Sequence, residues 1–229
     1  MTSPARTVIV MAKAPVAGMV KTRLCPPCTP EQAASIAEAA LTDTLASVLA
    51  AAADRRLLAL DGPPGSWLPA GVEVMAQRGT GLAERLTHAV SAVGHGQLLV
   101  IGMDTPHCTA ALLDGAFDAL AVCDAAVGLA NDGGWWALAL RAPYANVFDE
   151  VTMSTAQTGA HQLRRLRALG LRTAALASLS DVDTFADAIE VAAAVPGSHF
   201  AQAVDAVDLD RARLTAVTAG PDGDAPENH

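Results

Sequence analysis

The chain has 229 residues, of which 52% are hydrophobic, and a formal net charge of −9, with a pI near 5.0. That is enough apolar material for a sizeable core, and the acidic balance excludes the broad basic face that nucleic acid or an anionic membrane would need. No segment reads as a continuous membrane-spanning run, and the start lacks the apolar stretch of a signal peptide. The expectation is a cytoplasmic protein with neither a nucleic-acid nor a membrane partner.

A β-branched run at residues 7–11 predicts a buried first strand. The Pro/Gly loop after it holds the chain's only two lysines, Lys13 and Lys21, with Gly18, Thr22 and Arg23. Thr29, Pro30 and Gln32 then read as N-cap, first helical residue and capping-box partner of a helix running to about residue 53. Its apolar stripe is Ile36, Leu41, Leu45, Val48 and Leu49. Short strands are expected at 56–60 and 72–76, and a helix at 81–93. Residues 97–102 form the clearest buried strand, which runs into Asp104-Thr105-Pro106, and Thr109 caps the next helix. A strand at 125–129 meets the turn Asn131-Asp132-Gly133-Gly134 and returns as a strand at 135–140, an antiparallel element. A helix at 154–169 with Ser154 and Gln157 as capping box, a strand at 171–176, and a helix at 182–195 capped by Asp181 or Asp183 complete the pattern. Strands alternating with helices mean a layered α/β fold with a largely parallel sheet. One domain over 1–219 with a disordered polar tail at 220–229 is the expected organisation.

Three clusters carry candidate chemistry. In an open α/β sheet the loop after the first strand lies at the carboxyl edge, where ligands bind. Lys13, Lys21 and Arg23 there point to a polyphosphate. The loop is not a P-loop, since Gly18-Met19-Val20-Lys21-Thr22 lacks the leading Gly and the Gly-Lys pair. Asp104 ends the best buried strand, where a carboxylate has no packing purpose and can hold a metal or hydroxyl. Asp132 can be a second ligand of the same Mg²⁺, with water and phosphate completing the shell. Neither aspartate has a basic partner evident in the sequence. Gly133 and Gly134 permit close backbone approach, and one of Trp135 and Trp136 should face the cleft and the other the core. Glu84 and Arg85 either help the cleft or pair on a helix face. Cys25 and Cys28 have C-x-x-C spacing, but Cys108 and Cys123 supply no second close pair, so neither zinc nor a redox role is expected.

The stretches Met11-Ala12-Lys13-Ala14-Pro15 with Gly18 and Lys21-Thr22-Arg23-Leu24, Leu82-Ala83-Glu84-Arg85-Leu86, Ile101-Gly102-Met103-Asp104-Thr105-Pro106, Asn131-Asp132-Gly133-Gly134-Trp135 and Asp181-Val182-Asp183-Thr184 carry a resemblance over residues 7 to about 195. The chain resembles bacterial glycosyltransferase-like proteins of GT-A type, also called selenodomain-associated transferases. It is more distantly similar to 2-phospholactate guanylyltransferase and the molybdenum-cofactor guanylyltransferases. The resemblance implies a GT-A-like fold with a mostly parallel mixed sheet, a nucleotide and a small-molecule acceptor as partners, and Mg²⁺ or Mn²⁺ on Asp104 and Asp132. On this reading Lys21, Asp104 and Asp132 are catalytic. Lys13, Gly18, Lys21, Thr22 and Arg23 bind the nucleotide phosphates, and Glu84, Arg85, Gly133, Gly134 and Trp135 lie on the substrate side. The expected reaction is nucleotidyl transfer from an NTP to a small phosphorylated acceptor. Glycosyl transfer from an NDP-sugar and a non-catalytic nucleotide-binding module are the alternatives. The chain departs from the family at Gly81 (usually Asp), Ala83 (usually Gly), Trp135-Trp136 (often Tyr) and Leu129-Ala130 (usually Gly-Pro), which alters substrate-side contacts and leaves the carboxylate pair.

Overall fold

The computed structural model describes residues 4–144 and 146–207; the tail expected at 220–229, and the end of the unit expected over 1–219, lie outside the described residues. The elements are β1 (Arg6–Lys13), α1 (Pro30–Ala50), β2 (Arg55–Asp61), β3 (Glu73–Ala76), α2 (Leu82–Ser91), β4 (Gln97–Gly102), α3 (Ala110–Ala119), β5 (Ala125–Leu129), β6 (Trp135–Leu140), α4 (Thr158–Ala168), β7 (Thr173–Ala175) and α5 (Phe185–Ala194). Residues 199–207 are also helical. The seven strands form one sheet in the order β3-β2-β1-β4-β6-β5-β7. Only β6 runs against its neighbours; the remaining pairs are parallel. This is the mixed, mostly parallel sheet expected from the sequence.

Both faces of the sheet are covered, which is why its central strands are apolar throughout. Val8, Val10 and Ala12 of β1 and Leu99 and Ile101 of β4 pack toward Leu41 and Leu45 of α1 and Phe117 of α3. Their alternates, Ile9, Leu98 and Val100, pack toward Leu86 and Val90 of α2 and Leu166 of α4. The period of two therefore sorts one apolar run into two cores.

α1 corrects one expectation. It has 21 residues, and its most apolar 18-residue stretch has a mean hydropathy of 1.3, long and apolar enough by those measures to cross a bilayer. Here it is packed on two sides. Leu41, Leu45 and Val48 face the sheet, while Ala33, Ile36 and Ala40 meet Phe185 and Val191 of α5 and Phe200 and Val204 of the last helix. Its alanines allow that close double packing. Its start is as expected: the Thr29 hydroxyl accepts from the N–H of Gln32, and the Gln32 side chain closes the capping box.

Two helix starts differ from expectation. α4 begins at Thr158, not at 154: Ser154 has φ 58°, Gln157 makes no side-chain cap, and the Thr155 N–H bonds instead to Thr158 Oγ1 at 3.0 Å. α5 begins at Phe185, capped by Thr184 with Asp187 closing its box. Asp181 and Asp183 are therefore not caps. The helical residues 199–207 were not expected from the sequence. Their first turn is tied to Asp43 of α1, whose carboxylate accepts from the N–H of Phe200 at 2.8 Å and lies 2.8 Å from His199 Nδ1.

Asp43→Ala removes an acceptor from a helix N-terminus and should cost about 1–2 kcal/mol of stability. Urea unfolding checks this; a midpoint within error of wild type would show that Asp43 does not anchor the last helix.

Candidate functional site

The carboxyl ends of β1, β2, β4 and β5, and the start of the reversed β6, lie along one edge of the sheet. β1 and β4 are adjacent, and from them the strand order proceeds in opposite directions, so the crevice between their ends is the switch point at which open α/β sheets bind ligands. Two cavities open there. The larger, about 420 Å³, is lined by Lys13, Lys21, Thr22, Arg23 and Arg85 with Asp61, Gln77, Asp104 and Asp183. The smaller, about 250 Å³, is lined by Asp104, Asp132 and Asp181 with Gly134, Trp135 and Met153. Met11, Leu82 and Asp104 belong to both. The first is cationic and the second acidic, and Asp104 stands at their junction.

Lys21 organises the cationic side. Its backbone is left-handed, with φ 49° and ψ 37°, a conformation that costs a non-glycine residue about 1 kcal/mol or more. Its ammonium, with the side chain only 10% exposed, lies 2.8 Å from Asp104 Oδ1 and donates to the carbonyl of Val182. Asp104 thus has the basic partner that the sequence did not reveal, which corrects that expectation. An ammonium has three N–H donors, so one remains for a ligand oxygen. Arg23 pairs with Asp183 at the rim. Lys13 lines the cavity with its ammonium in no ion pair among the described residues, and its backbone N–H points to Met103 Sδ at 3.2 Å.

Arg85 lies in the same cavity. Its Nη1 is 2.8 Å from Asp61 Oδ2 and 3.4 Å from Gln77 Oε1. Gln77 Nε2 in turn donates to the carbonyls of Ala12 and Ala59 at 2.9 Å. Asp61 and Gln77 were missed in the sequence, although Asp61 ends a strand just as Asp104 does. Glu84, expected on the substrate side, lines neither cavity. It accepts from the N–H and hydroxyl of Thr80 at 2.8 and 3.0 Å, bonds that hold its carboxyl below the usual range. Gly18 also stays outside both cavities and turns the loop with φ 75°.

The acidic side is built by a segment crossing the strand ends. Ala130 bridges to Leu179, Asn131 Nδ2 donates to Ser180 Oγ at 2.7 Å, and the N–H of Val182 donates to the carbonyl of Asp104 at 3.1 Å. Residues 179–183 are thereby stretched from β5 to β4, which brings Asp181 into the cavity. Burial, then the charges of Asp132 and Asp104, push the Asp181 carboxyl above its ordinary value. Asp132 is held by the Gly134 N–H, 2.7 Å from Oδ1. Gly133 lines neither cavity and has a structural reason to be glycine: its φ is 90°, and a Cβ there would lie 2.0 Å from the carbonyl oxygen of Ala156. Trp135 lines the cavity and stacks on Phe148. Trp136 is buried and donates to the carbonyl of Ala177 at 2.9 Å, which divides the pair between cleft and core as expected.

Among the described residues no three His, Cys, Asp or Glu side chains are grouped so as to enclose a metal ion. None of the four cysteines forms a disulfide among the described residues. Burial pushes the Cys108 thiol up to about 12. His107 lines neither cavity.

The fold and its edge site define a layered nucleotide-diphospho-sugar-transferase-like, GT-A type architecture. A family profile described as "Uncharacterized protein conserved in bacteria (DUF2064)" matches residues 35–155, more than half of the chain, and the protein belongs to that family. No curated protein matches its sequence. Among solved structures it is similar to a candidate nucleotide-diphospho-sugar transferase from Desulfovibrio desulfuricans G20, with 24% identity and a TM-score of 0.80, over 89% of this chain and 95% of that one. It is also similar to Rv0371c from Mycobacterium tuberculosis H37Rv in complex with manganese, with 23% identity and a TM-score of 0.53, over 83% and 98% of the two chains. A third likeness is to CMP:2-keto-3-deoxy-manno-octonic acid synthetase complexed with CTP, with 13% identity and a TM-score of 0.52, over 82% and 96%. These likenesses bear out the GT-A-like fold.

A carboxyl whose folded value is raised holds its proton longer in the folded than in the unfolded chain. Its contribution to stability is therefore lost as pH rises from the ordinary carboxyl value to the raised one. Asp181→Asn removes that loss, so the variant's melting temperature relative to wild type should climb from pH 4 toward neutrality. A difference that stays constant or shrinks over that range would contradict the raised value.

Proposed function

We propose that the protein is a nucleotide-utilising transferase, and that the reaction is nucleotidyl transfer from an NTP assisted by Mg²⁺ or Mn²⁺. The observation that carries this reading is the segregation of charge at the switch point. Lys13, Lys21, Arg23 and Arg85 line one cavity of an otherwise acidic protein, and it meets a carboxylate-lined cavity at Asp104. Lys13 and the third N–H of Lys21 would hold phosphate oxygens as point charges, and Arg23 would bind them with its forked donors once released from Asp183. Thr22 offers a hydroxyl beside them.

The donor set suits a hard divalent cation. Burial, then the charges of Asp132 and Asp104, oppose ionisation of Asp181, and a cation near these carboxylates would relieve the repulsive part. Asp104 and Asp132 would hold the ion, since two carboxylates with phosphate and water satisfy Mg²⁺. When bound, the ion would supply Lewis-acid stabilisation of the charge on the transferring phosphate. The chain's own part is to orient and neutralise. An acceptor oxygen attacks the α-phosphorus. The new O–P bond forms as the bond to the oxygen bridging toward the β-phosphate breaks, and pyrophosphate leaves with that electron pair. The acceptor's proton passes to a carboxylate facing the acidic cavity.

Glycosyl transfer is the second reading, favoured by the likeness to the Desulfovibrio protein; the same groups would then hold the diphosphate of an NDP-sugar as leaving group. Pyrophosphate as product separates the first reading from a nucleoside diphosphate in the second, and turnover of either kind separates an enzyme from a binding module. A phosphorylated acceptor, expected from the sequence, matches the acidic cavity poorly.

Calorimetric titration of the four NTPs with and without Mg²⁺ tests the site. Mg²⁺ should strengthen binding in wild type and lose that effect in Asp104→Ala and Asp132→Ala. Lys21→Met should weaken nucleotide binding roughly tenfold or more. It should also destabilise the protein by about 1–3 kcal/mol, because it strips Asp104 and the Val182 carbonyl of their shared donor. Equal Mg²⁺ enhancement in all variants would sink the shared-metal model.

A further inference from the structure

We infer that the acidic cavity is the acceptor site and that it takes a small, phosphate-free and carboxylate-free molecule, neutral or cationic, with a hydroxyl or amine nucleophile and an apolar face. The inference rests on the transferase reading and replaces the phosphorylated acceptor expected from the sequence.

Three features of the cavity lead to this class. The first is charge. Asp104, Asp132 and Asp181 line it, and no Lys, Arg or His does so. The cations are all on the other side of Asp104, in the larger cavity. Lys21 lies at the boundary, but two of its ammonium donors go to Asp104 and the Val182 carbonyl, and the third is assigned to the donor phosphates. An anionic acceptor would enter against three carboxylates with no dedicated counter-charge. A divalent ion on Asp104 and Asp132 would be shared with the donor phosphates and would leave Asp181 facing the acceptor. Recognition sites for phosphate instead supply arginine, lysine or helix N-terminal donors.

The second feature is the apolar wall. Leu82, Leu86, Trp135 and Met153 line the same cavity as the carboxylates, and the indole of Trp135 is braced by stacking on Phe148, with ring centroids 6.4 Å apart. An aromatic surface sharing a cavity with carboxylates suits a molecule with both C–H surface and hydroxyl or amine donors. The same combination also suits a cation over the ring. Ser154 and Thr155 add hydroxyls to the lining, groups that can both donate and accept.

The third feature is size and place. At about 250 Å³ the cavity has room for roughly eight water volumes, a small molecule rather than a polymer. It shares Met11, Leu82 and Asp104 with the donor cavity, so an acceptor nucleophile bound there would reach the phosphates held next door.

The test uses Trp135 as reporter in a Trp67→Phe background, with buried Trp136 as the silent partner. Fluorescence quenching by caesium and by iodide is measured at low ionic strength on the protein without nucleotide. With each constant normalised to that of free N-acetyltryptophanamide, the caesium value should exceed that of iodide by about threefold or more, and the ratio should fall in Asp181→Asn. A ratio of one or less overturns the proposal whatever the nucleotide does. The second arm measures pyrophosphate release from NTPs with Mg²⁺ and matched acceptors: ethanolamine against phosphoethanolamine, glycerol against glycerol 3-phosphate, galactose against galactose 1-phosphate. The phosphate-free member should be at least tenfold faster, and a faster phosphorylated member overturns the proposal. If no acceptor gives pyrophosphate while the caesium preference holds, the nucleotidyl-transfer reading fails and the acceptor-site charge assignment stands.

Discussion

The bond between Lys21 and Asp104 ties together parts of the chain that are far apart in sequence. Lys21 belongs to the loop after β1, Asp104 to the end of β4, and the Val182 carbonyl that shares the ammonium belongs to the segment before α5. Val182 also returns its own N–H to the Asp104 carbonyl at 3.1 Å. One mostly buried ammonium therefore fixes the mouth of the switch-point crevice from three sides. Removing a partner from such a group leaves the others desolvated and unpaired, which costs more than the bond is worth on its own. The left-handed backbone at Lys21 is tolerated because these partners over-determine it.

From that clamp the two cavities acquire opposite character. The loop supplies cations on one side of Asp104, and the 179–183 segment delivers Asp181 on the other. Electrostatic separation of this kind can direct a polyphosphate and an uncharged or cationic partner to adjacent pockets without either crossing the other. Arg23 and Asp183 repeat the link at the rim, so the loop and the crossing segment are tied at a buried point and at an exposed one. The exposed pair is the weaker of the two, since water and salt screen it, and it is the one a phosphate could most readily displace.

The outer layer explains why the crossing segment stays in place. α5 and the helical residues 199–207 close over the far side of α1 with Phe185, Phe200 and Val204, and Asp43 pins the last helix to α1. Residues 179–183 are thus held at β5 by Ala130 and Asn131 and followed directly by a capped, packed helix. Site precision here derives from hydrophobic packing two layers away from the cleft.

Much was legible in the sequence. The apolar runs of β4, β5 and β6 gave their bounds, because strands buried on both faces admit no polar interruption. Thr29 with Gln32 marked the start of α1, and Asp132-Gly133-Gly134 marked the hairpin, because local hydrogen bonds and positive φ restrict residue choice at a single position. The rarity of lysine singled out Lys13 and Lys21. The pairing of Asp104 with Lys21 was not legible, nor was the entry of Asp181 in place of a helix-capping role, nor the Arg85–Asp61–Gln77 contact, nor the exclusion of Glu84 from the cleft. Each depends on which distant segments the sheet order brings to one edge. An aspartate before a helix satisfies local capping rules whether or not a strand end lies across from it. Local chemistry determined the elements, their caps and the candidate groups; only the tertiary structure decided which charges face one another, because those distances are set by strand order and by the packing of α1, α5 and the last helix.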